Sequence, residues 1–467
     1  MWSMYTASPR NQDYQSVNVM LLSLCISLMS FPAFAELTTY ELDNGMQIVV
    51  KEDHRAPVVV HQVWYRVGST YEISGKTGIS HMLEHMMFKG TKTYKPGEFS
   101  KIVAKLGGKE NAFTSTNYTA YYQIVGKQHL EEVMKMESDR MRHIVLTDEE
   151  FYKERDVVTE ERRWRTEDQP VGKLYEQFKA TAFLSSPARH PVVGWMSDIR
   201  AYKTQDARDW YQQWYAPNNA TLVVVGDVEP EKVYRLAKQY YGEYSAENIE
   251  APRPQIEIEQ VGERRIVLKG KTKSPEFFMG FHAPTLMTAK SDDEKAEIYA
   301  LELLSSILDG DSSARLSKNL IRKEQVMASV GAGYDGTDRL KTLFVFSATP
   351  SANVTLKEAE KAIWQEIKTL QTELVSPREL ERVLAQTEAV YIYHQDSIQS
   401  QANVLGRLVS IGLSPSIIDS WVDELRKVTP EQIRAVARKY FSKDKMTIAT
   451  LLPEDEIAAS TASKGAH

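Results

Sequence analysis

The sequence has a single cysteine in 467 residues, Cys25, which lies in an apolar stretch near the N-terminus. The chain after that stretch therefore has no thiol to form a disulfide bond, to act as a nucleophile or to bind a metal ion. A chain without free thiols suits an oxidising compartment, where an unpaired cysteine is prone to reaction. Any catalytic nucleophile or metal ligand must be another residue type.

An excess of positive charge and a membrane-spanning apolar run are also lacking. The formal net charge is −6, whereas nucleic-acid-binding proteins are normally basic. The apolar run at residues 17–31 is shorter than the about 20 residues that a membrane span needs, and no later segment qualifies. We therefore expect no nucleic-acid partner and no membrane span in the mature chain. The remaining composition is that of a globular protein of at least two domains.

The N-terminal segment has the features of a signal peptide. Residues 17–31 form its apolar region, and Ala33 and Ala35 supply an A-x-A cleavage site. The part before the apolar region is long and has Arg10 as its one basic residue, so an uncleaved anchor is the alternative and Met20 an alternative initiator. We expect cleavage near Ala35 and a mature protein that is periplasmic or secreted.

Two segments of similar outline follow. Each combines strands with capped helices and ends on a helix followed by a short apolar strand, at 221–225 in the first and 446–452 in the second. The stretch between them is acidic and contains two prolines, which is typical of a linker. The fold class expected is α+β, with two homologous halves. The predicted organisation is a signal peptide at 1–35, an N-terminal domain at 36–246, a linker at 247–260, a C-terminal domain of similar fold at 261–457 and a disordered tail at 458–467.

Turn and capping residues locate individual elements. Asn44 and Gly45 separate two alternating runs, which predicts a β-hairpin. Thr147, followed three residues later by Glu150, predicts a capping box and a helix that runs past Arg165. Other predicted helices span 78–88 and 127–144, or begin after the capping residues Ser376 and Thr429.

The predicted helix at 78–88 contains the residues suited to chemistry. His81 and His85 are four residues apart, so both imidazoles leave the same helix face about one turn apart. Two neutral imidazoles so placed can bind one zinc ion at about 2.0–2.1 Å, with a carboxylate as the usual third ligand. Glu84 adjoins His85 and can act as general base towards a water molecule at the metal. The H-x-x-E-H order inverts the commoner H-E-x-x-H, and chance occurrence of so short a motif is the alternative.

A second group of acidic residues lies on the predicted helix that follows Thr147. Glu154 and Glu161 are two helical turns apart and therefore face the same direction. A solvated surface is the common explanation for such a charged run. Val157 and Val158 indicate instead a partly buried helix.

These motifs and three further stretches resemble the pitrilysin and insulinase family of zinc metallopeptidases, the inverzincins, in its bacterial processing-peptidase-like branch. The resemblance spans nearly the whole mature chain. It implies that Glu161 is the third zinc ligand and that Glu154 supports the site without binding the metal. It also implies that each half is a mainly antiparallel sheet backed by helices and that the two halves enclose a chamber. The matching stretches are HMLEHMMFKGT (81–91), ENAFTSTNYTAYY (110–122), ESDRM (137–141), ERDVVTEERR (154–163) and WYAPNNATLVVVGD (214–227).

The same resemblance implies where a peptide substrate binds. Asn111, Ala112, Phe113 and Thr114 form an edge strand beside the metal, to which an extended peptide adds by backbone hydrogen bonds. The alternative is that this segment is an ordinary strand whose neighbouring tyrosines pack in the core.

One part of the family pattern is missing. Family members have an arginine and a tyrosine in the second half that stabilise the transition-state oxyanion. The corresponding positions here are Ile321 and Ala328, or Arg322 and Ser329 after a shift of one residue, so the tyrosine is absent in both alignments. We expect a related partner chain to supply the pair. Tyr334 is the alternative within this chain.

The sequence therefore predicts a zinc-dependent endopeptidase that hydrolyses peptides or unfolded polypeptides outside the cytoplasm. In this prediction the domain at 36–246 holds zinc through His81, His85 and Glu161, and Glu84 is the base. The alternative is a peptide-binding or structural subunit of a heterodimer with little activity alone. It is the weaker hypothesis because such subunits commonly lose the metal ligands, which this chain keeps.

Overall fold

Eleven strands build the two sheets of the computed structural model, which describes residues 37–454. The predicted signal peptide and the predicted disordered tail lie outside the described residues. Within the described part, no helix is both long enough and apolar enough to cross a membrane.

The first sheet has six strands in the order β1-β2-β6-β3-β5-β4, and only the β2–β6 pair is parallel. Its strands are β1 Leu37–Glu41, β2 Gln47–Glu52, β3 Val58–Tyr65, β4 Lys109–Thr114, β5 Thr119–Gly126 and β6 Ala220–Gly226. Strands β1 and β2 form the predicted hairpin, in which Gly45 adopts a left-handed φ of 82°. Strand β6 is buried along its whole length because both of its faces are covered: Leu222 and Val224 pack in one apolar cluster, and Val223 and Val225 pack in another.

The second sheet repeats this arrangement. Its strands are β7 Arg264–Gly270, β8 Glu276–Ala283, β9 Met327–Gly333, β10 Thr342–Pro350 and β11 Met446–Pro453. They lie in the order β7-β11-β8-β10-β9, with β7–β11 as the parallel pair. Apart from β1, each strand of the first sheet has a counterpart at the same place and in the same chain order. The predicted α+β fold with two homologous, mainly antiparallel halves is confirmed.

Fourteen α-helices in the described residues back the sheets. They are α1 Ile79–Met86, α2 Glu98–Lys105, α3 Leu130–His143, α4 Asp148–Arg162, α5 Pro170–Ala182, α6 Met196–Ala201, α7 Thr204–Trp214, α8 Pro230–Tyr241, α9 Asp292–Asp309, α10 Leu356–Thr372, α11 Pro377–Gln395, α12 Ile398–Ile411, α13 Ile417–Arg426 and α14 Pro430–Tyr440.

The predicted caps are present where the sequence indicates them. Ser376 and Thr429 accept hydrogen bonds from backbone N–H groups in the first turns of α11 and α14. Thr147 accepts one from the N–H of Glu150, which is half of the predicted capping box. After Arg162 the chain continues from α4 as a π-helical turn to Glu167, so the helical segment extends past Arg165 as predicted.

One helix from each half packs on the sheet of the other half. Helix α5 packs on the second sheet, where Leu174 and Phe178 share a buried cluster with Leu451. Helix α12 packs on the first sheet, where Gly406 lies so close to Trp64 that an added Cβ would be 2.0 Å from the indole ring. Each half therefore contributes apolar side chains to a core on the sheet of the other half.

The linker residues 247–260 contain no helix or strand, in keeping with the prediction. They are nevertheless anchored, because the buried carboxylate of Glu257 accepts hydrogen bonds from the N–H groups of Leu184, Ser185 and Ser186 at 2.8–3.0 Å. The domain limits at 246 and 261, and the enclosed chamber, stay predictions.

Candidate metal centre

Helix α1 presents the residues of the H-x-x-E-H motif on one side and packs its other side into the core. Ile79, Met82, Leu83 and Met86 are fully buried. The helix begins after Gly78, whose φ of 86° favours glycine and where an added Cβ would be 2.2 Å from a backbone oxygen of Val193. The apolar face therefore fixes the direction in which the polar face points.

A carboxylate from outside the helix caps its N-terminus. Gly78 has no side chain to act as a cap, and Glu72 instead accepts hydrogen bonds from Gly78 N–H at 2.6 Å and from Ser80 N–H at 2.9 Å. Burial raises the pKa of Glu72 to about 7, although both backbone hydrogen bonds favour its charged form. Sequence analysis did not identify Glu72, because it lies in the loop before the motif and has no periodic relation to it.

Replacing Glu72 with alanine is expected to lower the free energy of unfolding by about 2 kcal/mol. Each buried N–H group without an acceptor costs about 1–3 kcal/mol, and part of this is offset because a carboxylate is no longer buried. Urea unfolding followed by tryptophan fluorescence measures the change. Glu98→Ala is the matched control, since Glu98 accepts from Lys95 N–H at an exposed helix start and should cost less than about 1 kcal/mol. Equal losses in the two variants would contradict the capping role.

The structure brings His81, His85 and Glu161 together, and their potential ligand atoms all lie within 4.8 Å of one another. His81 Nε2 is 3.7 Å from Glu161 Oε1, and His85 Nε2 is 3.2 Å from Glu161 Oε2. Two imidazoles and one carboxylate are a donor set that zinc prefers, with a further position left for water or substrate. The residues present therefore fit a zinc ion.

The two imidazoles differ in their electrostatic surroundings. Burial, together with the neighbouring His85, lowers the pKa of His81 to about 4, so this ring is neutral and able to bind a metal ion. Burial also opposes the charged form of His85, but hydrogen bonds with Glu154 and Glu161 outweigh it and raise the pKa to about 9. A metal ion at His85 must therefore displace a proton from that ring.

Glu154 lies beside the cluster and holds one of its members. Its Oε1 is 2.9 Å from His85 Nδ1, which leaves Nε2 of that ring facing Glu161. Its other oxygen forms an ion pair with the ammonium group of Lys89. Burial tends to raise the pKa of Glu154, but the hydrogen bonds from His85 and Lys89 prevail and lower it. A carboxylate in this position orients a metal-binding histidine and sets its tautomer.

Glu84 is half-buried on the same helix and lies outside the three-ligand cluster. The hydroxyl group of Thr114 donates a hydrogen bond to Glu84 Oε2 at 2.5 Å. Burial raises the pKa of Glu84, and the hydrogen bond from Thr114 partly offsets this. The carboxylate is therefore oriented by β4 and is more basic than an exposed glutamate.

The predicted substrate strand is an edge strand. Strand β4 pairs with β5 on one side only, and it contains Asn111, Ala112, Phe113 and Thr114. Asn111 is exposed, whereas Phe113 packs edge-on against Trp64 at a ring distance of 5.2 Å. One free edge beside Glu84 is available to a peptide, and its use by substrate stays a prediction.

The second-half positions that correspond to the missing arginine and tyrosine are engaged locally. Arg322 donates to the Ser312 carbonyl group, and Ser329 donates to Thr349 Oγ1 at 3.0 Å. The hydroxyl group of Tyr334, the candidate substitute, donates to the Pro284 carbonyl group at 2.5 Å. None of these contacts involves the candidate metal centre.

Two charged residues at the site had not been singled out from the sequence. Lys89 pairs with Glu154, and Arg165 Nη1 lies 2.9 Å from Glu161 Oε1. Both are four residues after a site residue, His85 and Glu161, and that spacing is a signal that could have identified them.

Comparison with known proteins identifies relatives of this chain. A family model described as Insulinase (Peptidase family M16) matches residues 47–194, and one described as Peptidase M16 inactive domain matches residues 202–387. The zinc protease PqqE of Helicobacter pylori is 31% identical over 93% of this chain and 97% of its own length. An uncharacterized zinc protease of Bacillus subtilis, YmxG, is 25% identical over 87% of this chain and 96% of its own length.

Solved structures also resemble this chain. The crystal structure of a protease from Helicobacter pylori has a TM-score of 0.84 and 29% identity, with 90% of this chain and all of that chain covered. The first half of the periplasmic protease PqqL from Escherichia coli has a TM-score of 0.76 at 20% identity, over 91% of this chain and 93% of that one, which shows a shared fold. The family models, the relatives and the two-sheet architecture together establish that the chain belongs to peptidase family M16, the insulinase family.

Proposed function

We propose that the chain is a zinc-dependent endopeptidase that hydrolyses peptides or unfolded polypeptides outside the cytoplasm. The observation that carries the proposal is the meeting of His81, His85 and Glu161, with Glu84 next to His85 on the same helix. The relatives named zinc proteases support it. A catalytic zinc site with three protein ligands and a neighbouring base is the arrangement that metallopeptidases use.

His81, His85 and Glu161 would hold the zinc ion, and Glu154 would keep the ring of His85 in its binding orientation. When bound, the ion polarises a water molecule and the carbonyl group of the peptide bond to be cleaved. Arg165 balances the charge of Glu161 from the solvent side.

Glu84 moves the proton. Its carboxylate takes a proton from the attacking water and then delivers that proton to the nitrogen of the departing amine. Burial raises the pKa of this carboxyl group, which helps it to retain the proton between the two transfers. Thr114 fixes one carboxylate oxygen by a hydrogen bond and so restricts the orientation of the carboxylate.

The substrate is an extended peptide that adds to the free edge of β4 through the backbone of residues 111–114. Strand addition depends on hydrogen bonds to the substrate backbone, so the substrate must be short or unfolded. Residues 111–114 lie next to Glu84 through Thr114, so a peptide on this edge would bring its carbonyl groups close to the metal centre.

A related partner chain would supply the oxyanion-stabilising arginine and tyrosine. The local engagement of Tyr334 and of Arg322 favours this over a substitute within the chain. The same observation favours the second candidate function, a peptide-binding or structural subunit of a heterodimer with little activity alone. The location would be the periplasm or the exterior of the cell, on the basis of the predicted signal peptide.

Zinc analysis combined with a cleavage assay tests the proposal. The chain from Glu36 to His467 is purified, its metal content is measured by elemental analysis, and cleavage of an unstructured fluorogenic peptide is followed with and without any related chain encoded beside it. We expect about one zinc ion per chain, given one three-ligand site, together with loss of cleavage on chelation and its recovery when zinc returns. If the chain binds zinc but cleaves the peptide only when the partner is added, the active enzyme is a heterodimer. If neither zinc nor cleavage is found under any condition, the peptidase function is rejected.

A further inference from the structure

A loop of the second half reaches the first half close to the candidate metal centre. This clasp loop, residues 334–341, connects β9 to β10. Asp338 Oδ1 accepts a hydrogen bond from Asn117 Nδ2 at 2.7 Å, and Arg339 Nη2 donates to Thr70 Oγ1 at 2.8 Å. The guanidinium group of Arg339 also lies 3.9 Å from the centre of the Tyr71 ring, a favourable cation–π distance. Three contacts made by two neighbouring residues, Asp338 and Arg339, thus join the halves at this point.

The clasp loop is also held by hydrogen bonds within its own half. Gly336 N–H donates to Glu302 Oε1 at 2.7 Å. Asp335 accepts from Thr337 Oγ1 at 2.6 Å and from Arg407 Nη1 at 2.8 Å. Asp338 and Arg339 are therefore presented by a loop that is already held in place.

The contacted part of the first half is the turn between β4 and β5. This hairpin tip, residues 115–118, is closed by a hydrogen bond from Ser115 N–H to the Tyr118 carbonyl group at 2.8 Å. On one side it rests on the segment 68–71, where the N–H and hydroxyl groups of Thr70 both donate to the Thr116 carbonyl group at 2.8 and 2.9 Å. From the second half, Asp338 and Arg339 Nε contact Asn117 of the tip at 2.7 and 3.4 Å, and Arg339 also contacts Thr70 and Tyr71 of the segment on which the tip rests. The tip is therefore held from both halves.

The hairpin tip directly follows the residue that orients Glu84. Thr114 ends β4, donates to Glu84 at 2.5 Å and lies 3.4 Å from Thr119 Oγ1 across the hairpin. A shift of the tip therefore moves the Thr114 hydroxyl group and, with it, the carboxylate that it orients. Misplacement of a reacting group by about 1 Å can cost about 100-fold in rate.

We propose that Asp338 and Arg339 are positioning residues: they clamp the hairpin tip from the second half, fix Thr114 and thereby orient the carboxylate of Glu84. In this proposal these contacts, which we call the clamp, make the geometry of the first half, which contains the candidate metal centre, depend on the second half. The inference rests on the proposed peptidase function for its effect on rate, whereas the clamp itself is a property of the fold.

The first test is a kinetic comparison on the full mature chain, with its partner if one is required. We expect Arg339→Ala to lower kcat about 10- to 100-fold, with a change in KM of less than about threefold and an unchanged zinc content. Arg339→Lys restores a donor to Thr70 without the planar group above Tyr71, so it should recover part of kcat. Arg382→Ala is the matched control, because Arg382 pairs with Asp311 at 3.0 Å within the second half, and it should leave kcat unchanged.

The second test measures how firmly the hairpin tip is held and needs no peptidase activity. Hydrogen–deuterium exchange of the backbone amides in residues 114–119 should be several-fold faster in Arg339→Ala than in wild type or Arg382→Ala, because the tip opens more often. If Arg339→Ala fails to fold, Asn117→Ala and Asp338→Ala take its place, because each removes the hydrogen bond between Asn117 and Asp338 from one side.

The outcomes separate the clamp from the peptidase function. If exchange is faster in Arg339→Ala but the wild-type chain never cleaves peptides, the contacts of Asp338 and Arg339 with the first half are supported and the proposed peptidase function is rejected. An active enzyme in which Arg339→Ala, or its replacements, changes neither kcat nor hairpin exchange would overturn the clamp. A rise in KM alone would also overturn it, since a positioning role for Glu84 requires the loss to appear in kcat.

Discussion

Replacement of Glu84 with glutamine is expected to reduce peptide cleavage by about 10²- to 10⁴-fold while zinc content stays at the wild-type level. Glutamine keeps the size of the side chain and can still accept the Thr114 hydrogen bond through its amide oxygen. It cannot take a proton from water. Since His81, His85 and Glu161 are untouched, the metal-binding donors remain. The decisive measurement is kcat with a fluorogenic peptide, beside elemental analysis of the same samples.

The matched control for this variant is Glu160→Gln. Glu160 is exposed, precedes the ligand Glu161 and pairs with Arg163, so the same chemical change is made next to the site without touching it. It should keep wild-type kcat. If Glu84→Gln retained more than about a tenth of the wild-type rate, well above the loss that a general base accounts for, another group would have to be the base.

The helix that bears the histidines could be predicted because its information is local. A spacing of four residues places His81 and His85 on one helix face, and the apolar residues between them fill the other face. Glu154 and Glu161 are two helical turns apart on α4, so the sequence likewise predicts that both side chains point in the same direction. Which of the two carboxylates joins the histidines depends on how α4 packs against α1. Periodicity leaves that open, and the family resemblance supplied it.

The exchange of α5 and α12 between the halves could not be predicted from the sequence. An amphipathic pattern shows which face of a helix is buried but not which sheet buries it, and the two sheets offer similar apolar surfaces. The contact of Gly406 with Trp64 is a tertiary match between distant residues. A glycine in the middle of a helix is the sole local sign that something approaches closely there.

The remaining unpredicted contacts are made by single polar residues far from their partners in sequence. Glu72 caps a helix from the preceding loop, and Arg339 reaches across the two halves to Thr70. Such residues satisfy buried donors or stack on rings, and they have no repeat that a pattern could reveal. The sequence therefore shows which residues the candidate site contains more readily than how they are positioned.

Replacement of Glu154 with glutamine is expected to weaken zinc binding about 10- to 100-fold. Glu154 accepts from His85 Nδ1 at 2.9 Å and pairs with Lys89, so its charge favours the tautomer in which Nε2 of His85 is free to bind the metal. Glutamine removes that charge, leaves Lys89 without its counter-ion and presents an NH₂ group in place of one oxygen. Zinc affinity is measured by competition with a chromophoric chelator at fixed pH, because binding releases protons.

Glu149→Gln provides the comparison on the same helix. Glu149 is exposed in the first turn of α4 and pairs with Lys153, so its replacement changes the charge of α4 by the same amount without contact to His85. Exposed pairs of this kind contribute about 0–1 kcal/mol, and zinc affinity should stay within about threefold of wild type. Because Glu154 acts through His85, the double variant with His85→Ala should bind zinc no more weakly than His85→Ala alone. Additive losses would mean that Glu154 affects zinc binding independently of His85 and would contradict a role through that ring.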